Sequence, residues 1–297
     1  MSAALGLQYL VAGITVGSVY AIVGIGFNVI YNATGIINFA QGEFLMLGGM
    51  IAITLQPLLP LPVAVLAAAL IAGAVGILLY YAFFSWLENP AALRMIIITI
   101  ALSILVREAA LHVWDEKVHA LPFWTGDETS SVAFLGARFS PQVIWVLAVS
   151  AALVVGLTLF FRLTLMGRAM RACSASRTAA RLCGIRPGTV IAFSFFLAAS
   201  MGALAGAAIS PLTQTQYDMG STLAVKGFTC AVLGGLGNSA AAAGAGLLLG
   251  VLESFSVAIL PLAYKDVVSL AILLVVLFVR PEGLFAPRTP TLTGRRA

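Results

Sequence analysis

The chain has 297 residues, of which 61% are hydrophobic and 9% charged, with a mean hydropathy of +1.06. A soluble domain carries about 25% charged and about 45–50% apolar residues, so no fold could clothe this chain in polar groups. That excludes an ordinary cytosolic enzyme, a nucleic-acid binder and a disordered protein. A polytopic membrane protein remains, all-helical and forming a single domain over residues 1–297. Net charge is +5 and the pI is near 9.4. The positive charge is concentrated: Arg162, Arg168, Arg171, Arg177, Arg181 and Arg186 share one stretch without an acid, and Arg280, Arg288, Arg295 and Arg296 close the chain. Arginine in short connections marks the cytoplasmic side of a membrane protein, so the basic pI is a topology signal.

Spans of about 20 residues allow roughly eight to ten crossings at this length. The first segment runs from Leu7 to Tyr31, with no charge before Glu43 and hence no basic start of a cleaved signal peptide. After Asn32-Ala33-Thr34-Gly35 a second runs from Ile36 to Leu55, and Pro57, Pro60 and Pro62 interrupt the chain. A third covers Val63 to Leu87 and stops at Glu88-Asn89-Pro90. Ala92 to Val113 is the fourth, its Arg94 and Arg107 expected to snorkel to opposite interfaces. A polar stretch from Trp114 to Ser140, with Asp115, Glu116, Lys117, Asp127, Glu128 and Arg138, suits the outer side. His112 and His119 lie in or beside it and read as solvated groups.

Pro141 to Phe161 is the fifth segment, followed by the arginine stretch and a sixth segment from Thr189 to Ile209. The run Phe228 to Leu236 is too short to cross alone; with Thr222–Val225 it either crosses as a short helix or enters and turns. The glycines of Gly234-Gly235-Leu236-Gly237-Asn238 predict a break there. Ala240 to Leu260 and Val267 to Val279 complete nine apolar segments. Alternation from the arginine stretch puts the C-terminus, with its tail 281–297, in the cytoplasm and the N-terminus outside. The pairs Gly13/Gly17, Gly202/Gly206 and Gly246/Gly250 are spaced to let helix backbones approach. Cys173, Cys183 and Cys230 show no pairing motif and read as unpaired thiols.

Within the arginine stretch, residues up to Gly184 favour one helix, with Pro187 just beyond. Ala172, Ala175, Ala179 and Leu182 recur at helical spacing and predict a small apolar face. Such a helix could lie on anionic headgroups or press into a groove on a soluble partner. The block Ala179-Ala180-x-x-x-Gly184 resembles the core of the coupling-helix motif of ABC importer permeases, although Thr178 stands where that pattern begins with Glu and its Ile-x-Leu-Pro continuation is missing.

A more specific resemblance spans nearly the whole chain. Gly35-Ile36-Ile37-Asn38-Phe39-Ala40-Gln41-Gly42-Glu43-Phe44 is similar to the N-terminal signature of LivH-type permeases, the membrane subunits of branched-chain amino acid ABC importers. The similarity continues in order at Met166–Ala172, Lys226–Gly237, Tyr264–Val268 and Arg280–Leu284. The resemblance implies an all-helical permease paired with a second, LivM-type permease subunit. It further implies two cytoplasmic ATPases, of LivG and LivF type, that use ATP and magnesium, and a periplasmic solute-binding protein that delivers the cargo. The chain itself holds no phosphate-binding loop and is expected to bind no cofactor, metal or nucleic acid and to catalyse no reaction.

Residues 163–187 form the expected coupling region, with Gly167, Arg168, Arg171, Ala172, Ala175, Ala179, Ala180, Arg181 and Gly184 meeting the ATPase. Charges inside a bilayer cost about 2.5–3.5 kcal/mol and are functional candidates. Glu43, read as two turns into the second segment, has Asn38 and Gln41 nearby, and Asn28 and Asn32 stand across the link. This group either lines the translocation path or bonds exposed backbone groups at a helix start. Glu253, with no basic residue close in sequence, lines the pore, is buried and hydrogen-bonded, or touches solute. The leading expectation is a permease subunit importing branched-chain amino acids, or a similar solute such as urea or a short amide, by alternating access. The competing class is an ion-coupled carrier or channel, against which the apparent isolation of Glu253 counts.

Overall fold

The computed structural model describes residues 3–87, 92–127, 129–134, 137–261, 264–280 and 283–284. The expected stop at Glu88-Asn89-Pro90, the loop acid Glu128 and most of the basic tail, with Arg288, Arg295 and Arg296, lie outside them. Eleven α-helices occur among the described residues: α1 (Ala3–Thr34), α2 (Gln41–Leu55), α3 (Leu61–Phe83), α4 (Ala92–Trp114), α5 (Gln142–Leu163), α6 (Leu165–Ala175), α7 (Arg177–Leu182), α8 (Pro187–Thr213), α9 (Met219–Gly234), α10 (Ser239–Ser256) and α11 (Lys265–Val279). Six are long and apolar enough to cross a membrane. A two-stranded antiparallel hairpin, β1 (Val132–Phe134) and β2 (Ala137–Phe139), stands in the polar stretch between α4 and α5.

The helices form one bundle with two distinct ends. At one end sits the hairpin, beside the start of α1, where Gln8 Nε2 donates to the Arg138 carbonyl at 3.5 Å. There the polar stretch is stapled down: His119 and Thr215 exchange backbone hydrogen bonds of 3.0 and 2.6 Å. His119 is therefore half-buried, unlike the exposed His112, and only His112 keeps the solvated character expected of both. The arginine-rich helices α6 and α7 mark the opposite end, where α1 ends: Arg177 Nη2 donates to the carbonyl of Thr34, the last residue of α1. The Leu284 amide, beyond α11, donates to the Leu233 carbonyl near the end of α9.

Close helix approach explains the core. Gly17 of α1 and Gly246 and Gly250 of α10 face one another so tightly that a Cβ on any of them would meet opposing backbone. Two of the predicted small-residue pairs therefore form one antiparallel interface. The third works against α2, where a Cβ on Gly206 would meet the Leu45 carbonyl. With contacts of this kind α2 is buried at every residue from Gln41 to Ala52, as an all-round apolar helix should be.

One expected span is shorter than its apolar run, and the run around 222–236 is, as expected, a short helix. Gly35, at φ +72°, ends α1, and residues 36–40 are not helical. This link folds back beside α1: the Phe39 ring lies 6.3 Å from Phe27, and Gln41 fills the space left by the missing side chain of Gly26. The 15-residue α2 therefore begins inside the bundle and extends only about 22 Å at 1.5 Å per residue. The 16-residue α9 begins with Gly220 packed on Gly42 and Glu43 of α2. Both fall short of the roughly 30 Å apolar core of a bilayer. α8 by contrast continues through Pro211 to Thr213, past the expected stop at Ile209, and ends where Gln214 takes φ +60°.

Candidate coupling surface and translocation path

The arginine stretch is two helices rather than the single one expected. Thr164 caps α6, its hydroxyl accepting from the Gly167 amide at 3.0 Å. Ser176, extended at φ −162° and ψ 113°, ends α6 and caps α7 by accepting from the Ala179 amide at 3.2 Å. A side-chain oxygen that satisfies orphan amides starts a new helix readily, which is why a run of good helix formers breaks there. The expected face of Ala172, Ala175, Ala179 and Leu182 is consequently split between two axes, and all but half-buried Ala172 point to solvent. The buried side is instead Gly167, Met170, Cys173 and Ala180, packed with Val190 of α8. Burial pushes the Cys173 thiol above its ordinary pKa while nearby Arg177 pulls the other way.

Arg168, Arg171 and Arg181 are exposed, as are Ala175, Ala179 and Gly184, whose φ of +80° ends α7. The pair thus turns arginines and small side chains outward while its other face is fastened to α5 and α8. Several clefts flank it. One, of about 310 Å³, runs beside Arg162 and Arg171 toward the turn between α9 and α10. There Asn28 accepts from the Gly237 amide and Asn32 donates to the Gly237 carbonyl, both at 2.9 Å. Another, of about 160 Å³, lies between α7 and the α1–α2 link and contains Arg177, Arg181 and Asn38.

The polar residues predicted beside one another in the second segment diverge. Asn38 lies in the link, 1% exposed, its Oδ1 accepting from the Ala40 amide while Nδ2 has no hydrogen-bond partner. Gln41 is wedged between α1 and α8, its Nε2 donating to the Ala198 carbonyl at 3.1 Å. Glu43 is the third residue of α2, not two turns into a helix, because the preceding link is not helical. It is fully buried and accepts from Ser103 of α4 at 2.8 Å through Oε1, while Oε2 has no hydrogen-bond partner. A Cβ on Gly220 would collide with this second oxygen, so the carboxylate rests against the first turn of α9 as well as within that of α2. Two helix N-termini, each favourable to negative charge, converge on it. Asn28 and Asn32 belong elsewhere, on the Gly237 turn.

Glu253 does not join this group, and it is not isolated. Its Oε1 accepts from Lys226 of α9 at 2.6 Å and from Tyr20 of α1 at 3.2 Å and forms an ion pair with Lys265 at 3.2 Å, and its Oε2 accepts from Ser269 of α11 at 3.1 Å. Lys226 also pairs with Asp266 at 2.7 Å. The argument from a solitary glutamate is thereby overturned: the cluster ties four helices together with balanced charge. Lys226, Lys265 and Asp266 were absent from the expected site although each lies in a block that carries the family resemblance. A lysine in the middle of the apolar run 222–236 was the legible signal.

The comparisons with known proteins agree with this architecture. Residues 9–277 match the model of a family described as a branched-chain amino acid transport system / permease component. The permease protein BraD of the high-affinity branched-chain amino acid transport system of Pseudomonas aeruginosa is 35% identical, over 94% of this chain and 95% of its own. LivH of Salmonella typhimurium, of the corresponding system, is 34% identical over 94% of both chains. A probable LivH of Methanocaldococcus jannaschii is 25% identical over 89% of this chain and 87% of its own. The chain belongs to the branched-chain amino acid transport permease family and is a polytopic helical membrane protein.

Proposed function

We propose that the chain is the permease subunit of an ATP-driven importer in a bacterial inner membrane, moving branched-chain amino acids or a chemically similar solute into the cytoplasm. The arginine end faces the cytoplasm, the hairpin end and the start of α1 face outward, and residues 163–187 and 281–297 are cytoplasmic. The partners are a second, LivM-type permease, two LivG- and LivF-type ATPases that use ATP and magnesium, and a periplasmic binding protein. The chain binds no cofactor and catalyses no reaction itself.

The observation that carries this reading is the coupling pair. α6 and α7 turn Arg168, Arg171 and Arg181, with Ala175 and Ala179, outward, while Arg177 is bonded to the end of α1. A push on this surface reaches the α1–α2 link and, through it, Asn38, Gln41 and Glu43 at the start of α2. Alternating access needs such a rigid connection between a motor and a bistable bundle. Asn38, Gln41 and Glu43 are assigned to the path. Glu253, for which a path role was also expected, is assigned to holding the helices that surround it.

Arg171→Glu with Arg181→Glu should leave membrane insertion and ATP hydrolysis intact in the assembled complex and lower solute uptake more than tenfold. Normal uptake by that variant overturns the coupling assignment. The buried ion cluster is the one feature that favours an ion-coupled carrier. Uptake by the purified chain alone in liposomes, without ATP, would establish that reading instead.

A further inference from the structure

The cleft between α7 and the α1–α2 link has the chemistry of a ligand site. It runs inward from the exposed Arg181, past Arg177, to the buried Asn38 and to Thr99 of α4, with Ile191 and Phe195 of α8 among its apolar walls. A water needs about 10–15 Å³ of such space, so its volume of about 160 Å³ accepts a solute of about ten non-hydrogen atoms. Neither guanidinium pairs with a carboxylate among the described residues, where the ion pairs all belong to the Glu253 cluster. Arg177 spends one donor on the Thr34 carbonyl, leaving others free. At the buried end the Nδ2 of Asn38 is unpartnered, a cost a native structure sustains where something else can satisfy the group.

We infer that this cleft binds an α-amino acid with a branched aliphatic side chain from the arginine side of the bundle. Its carboxylate accepts from Arg177 and from the Nδ2 of Asn38, and its side chain lies on Ile191 and Phe195. Arginine is suited to a planar carboxylate because its fork can bond both oxygens, and the apolar wall discriminates against bare phosphate or sulfate. Occupancy would brace α7 against the α1–α2 link. Solute accumulated on that side would therefore oppose the movement of the coupling helices. The inference rests on the amino-acid reading above, whose solute it places at a second location.

The test uses the complete importer in inside-out membrane vesicles, with the binding protein and its solute inside and ATP outside. Leucine added outside should inhibit ATP hydrolysis saturably. Leucinol, which lacks the carboxylate, and inorganic phosphate should be at least tenfold weaker. Ile36→Trp, which fills the cleft from the link, should raise the half-inhibiting leucine concentration at least tenfold, whereas Ile36→Val should behave as the unaltered protein. Equal inhibition by phosphate, by leucinol or in Ile36→Trp overturns the inference, as does no inhibition by leucine in an importer that transports it. If the complex hydrolyses ATP but transports no amino acid, both the solute reading and the inference that rests on it fall.

Discussion

Among the described residues two carboxylates lie fully inside this bundle, and their surroundings are opposite. Glu253 accepts from an ammonium group, a tyrosine and a serine and pairs with a second ammonium, all drawn from α1, α9 and α11. Glu43 accepts from one serine, keeps an unpartnered oxygen, and has the backbone of Gly220 where another residue type would place a side chain. A buried charge is tolerated when paired and hydrogen-bonded and costly otherwise. Glu253 is therefore a fastener: it anchors α11, of which only Ser269 and Val276 are buried, to the α1–α9–α10 unit. Glu43 stands half-satisfied where two short helices begin, and we propose that it changes partners during transport. Equal burial and identical chemistry thus coexist with opposite surroundings, and the number of donors separates them.

The largest expected effect is on stability. Glu253→Gln leaves Lys226 facing a neutral amide, and losing one partner of a buried pair costs about 3 kcal/mol. The complex should melt several degrees lower, and the double variant Lys226→Met/Glu253→Leu should recover much of that loss. Equal melting of Glu253→Gln and the unaltered protein would remove the fastener role. Glu43→Gln keeps an acceptor for Ser103, so melting should change by less than about 1 kcal/mol while uptake falls about tenfold. Loss of stability with unchanged uptake would reverse the comparison between the two glutamates.

The smallest effect concerns the thiols. Cys183, exposed just past α7, should react with a membrane-impermeant maleimide added from the arginine side, while buried Cys173 and Cys230 stay protected. Cys230 packs with Tyr20 of the Glu253 cluster. It should become reactive to a permeant maleimide in Glu253→Gln and stay protected in Glu43→Gln, a difference read by mass spectrometry.

Much of this was legible from the chain. Apolar runs, prolines and the arginine stretch located the helices to within a few residues, and the glycine pairs marked faces of close approach. Motif order identified the family, because the blocks at 35–44 and 226–237 are specific in a way composition is not. The break at Ser176 was hidden because its neighbours are good helix formers and only the cap geometry separates the two axes. The position of Glu43 was misread for a related reason: the run from Ile36 to Leu55 is uniformly apolar enough to look like one span, and hydropathy does not record a chain that folds back beside its neighbour.

By itself the sequence determined which runs are apolar, roughly where the long helices lie, which end is basic and which family the chain joins. These depend on local composition, on proline and glycine geometry, and on motif order along the chain. Only the tertiary structure decided partnerships. Lys226 meets Glu253 across 27 positions, and Tyr20 meets it across 233. Arg177 reaches Thr34 across 143. Inside a bilayer, where water cannot satisfy a buried charge, its role is set by the groups the fold brings to it, and those are assembled from helices that the linear chain keeps apart.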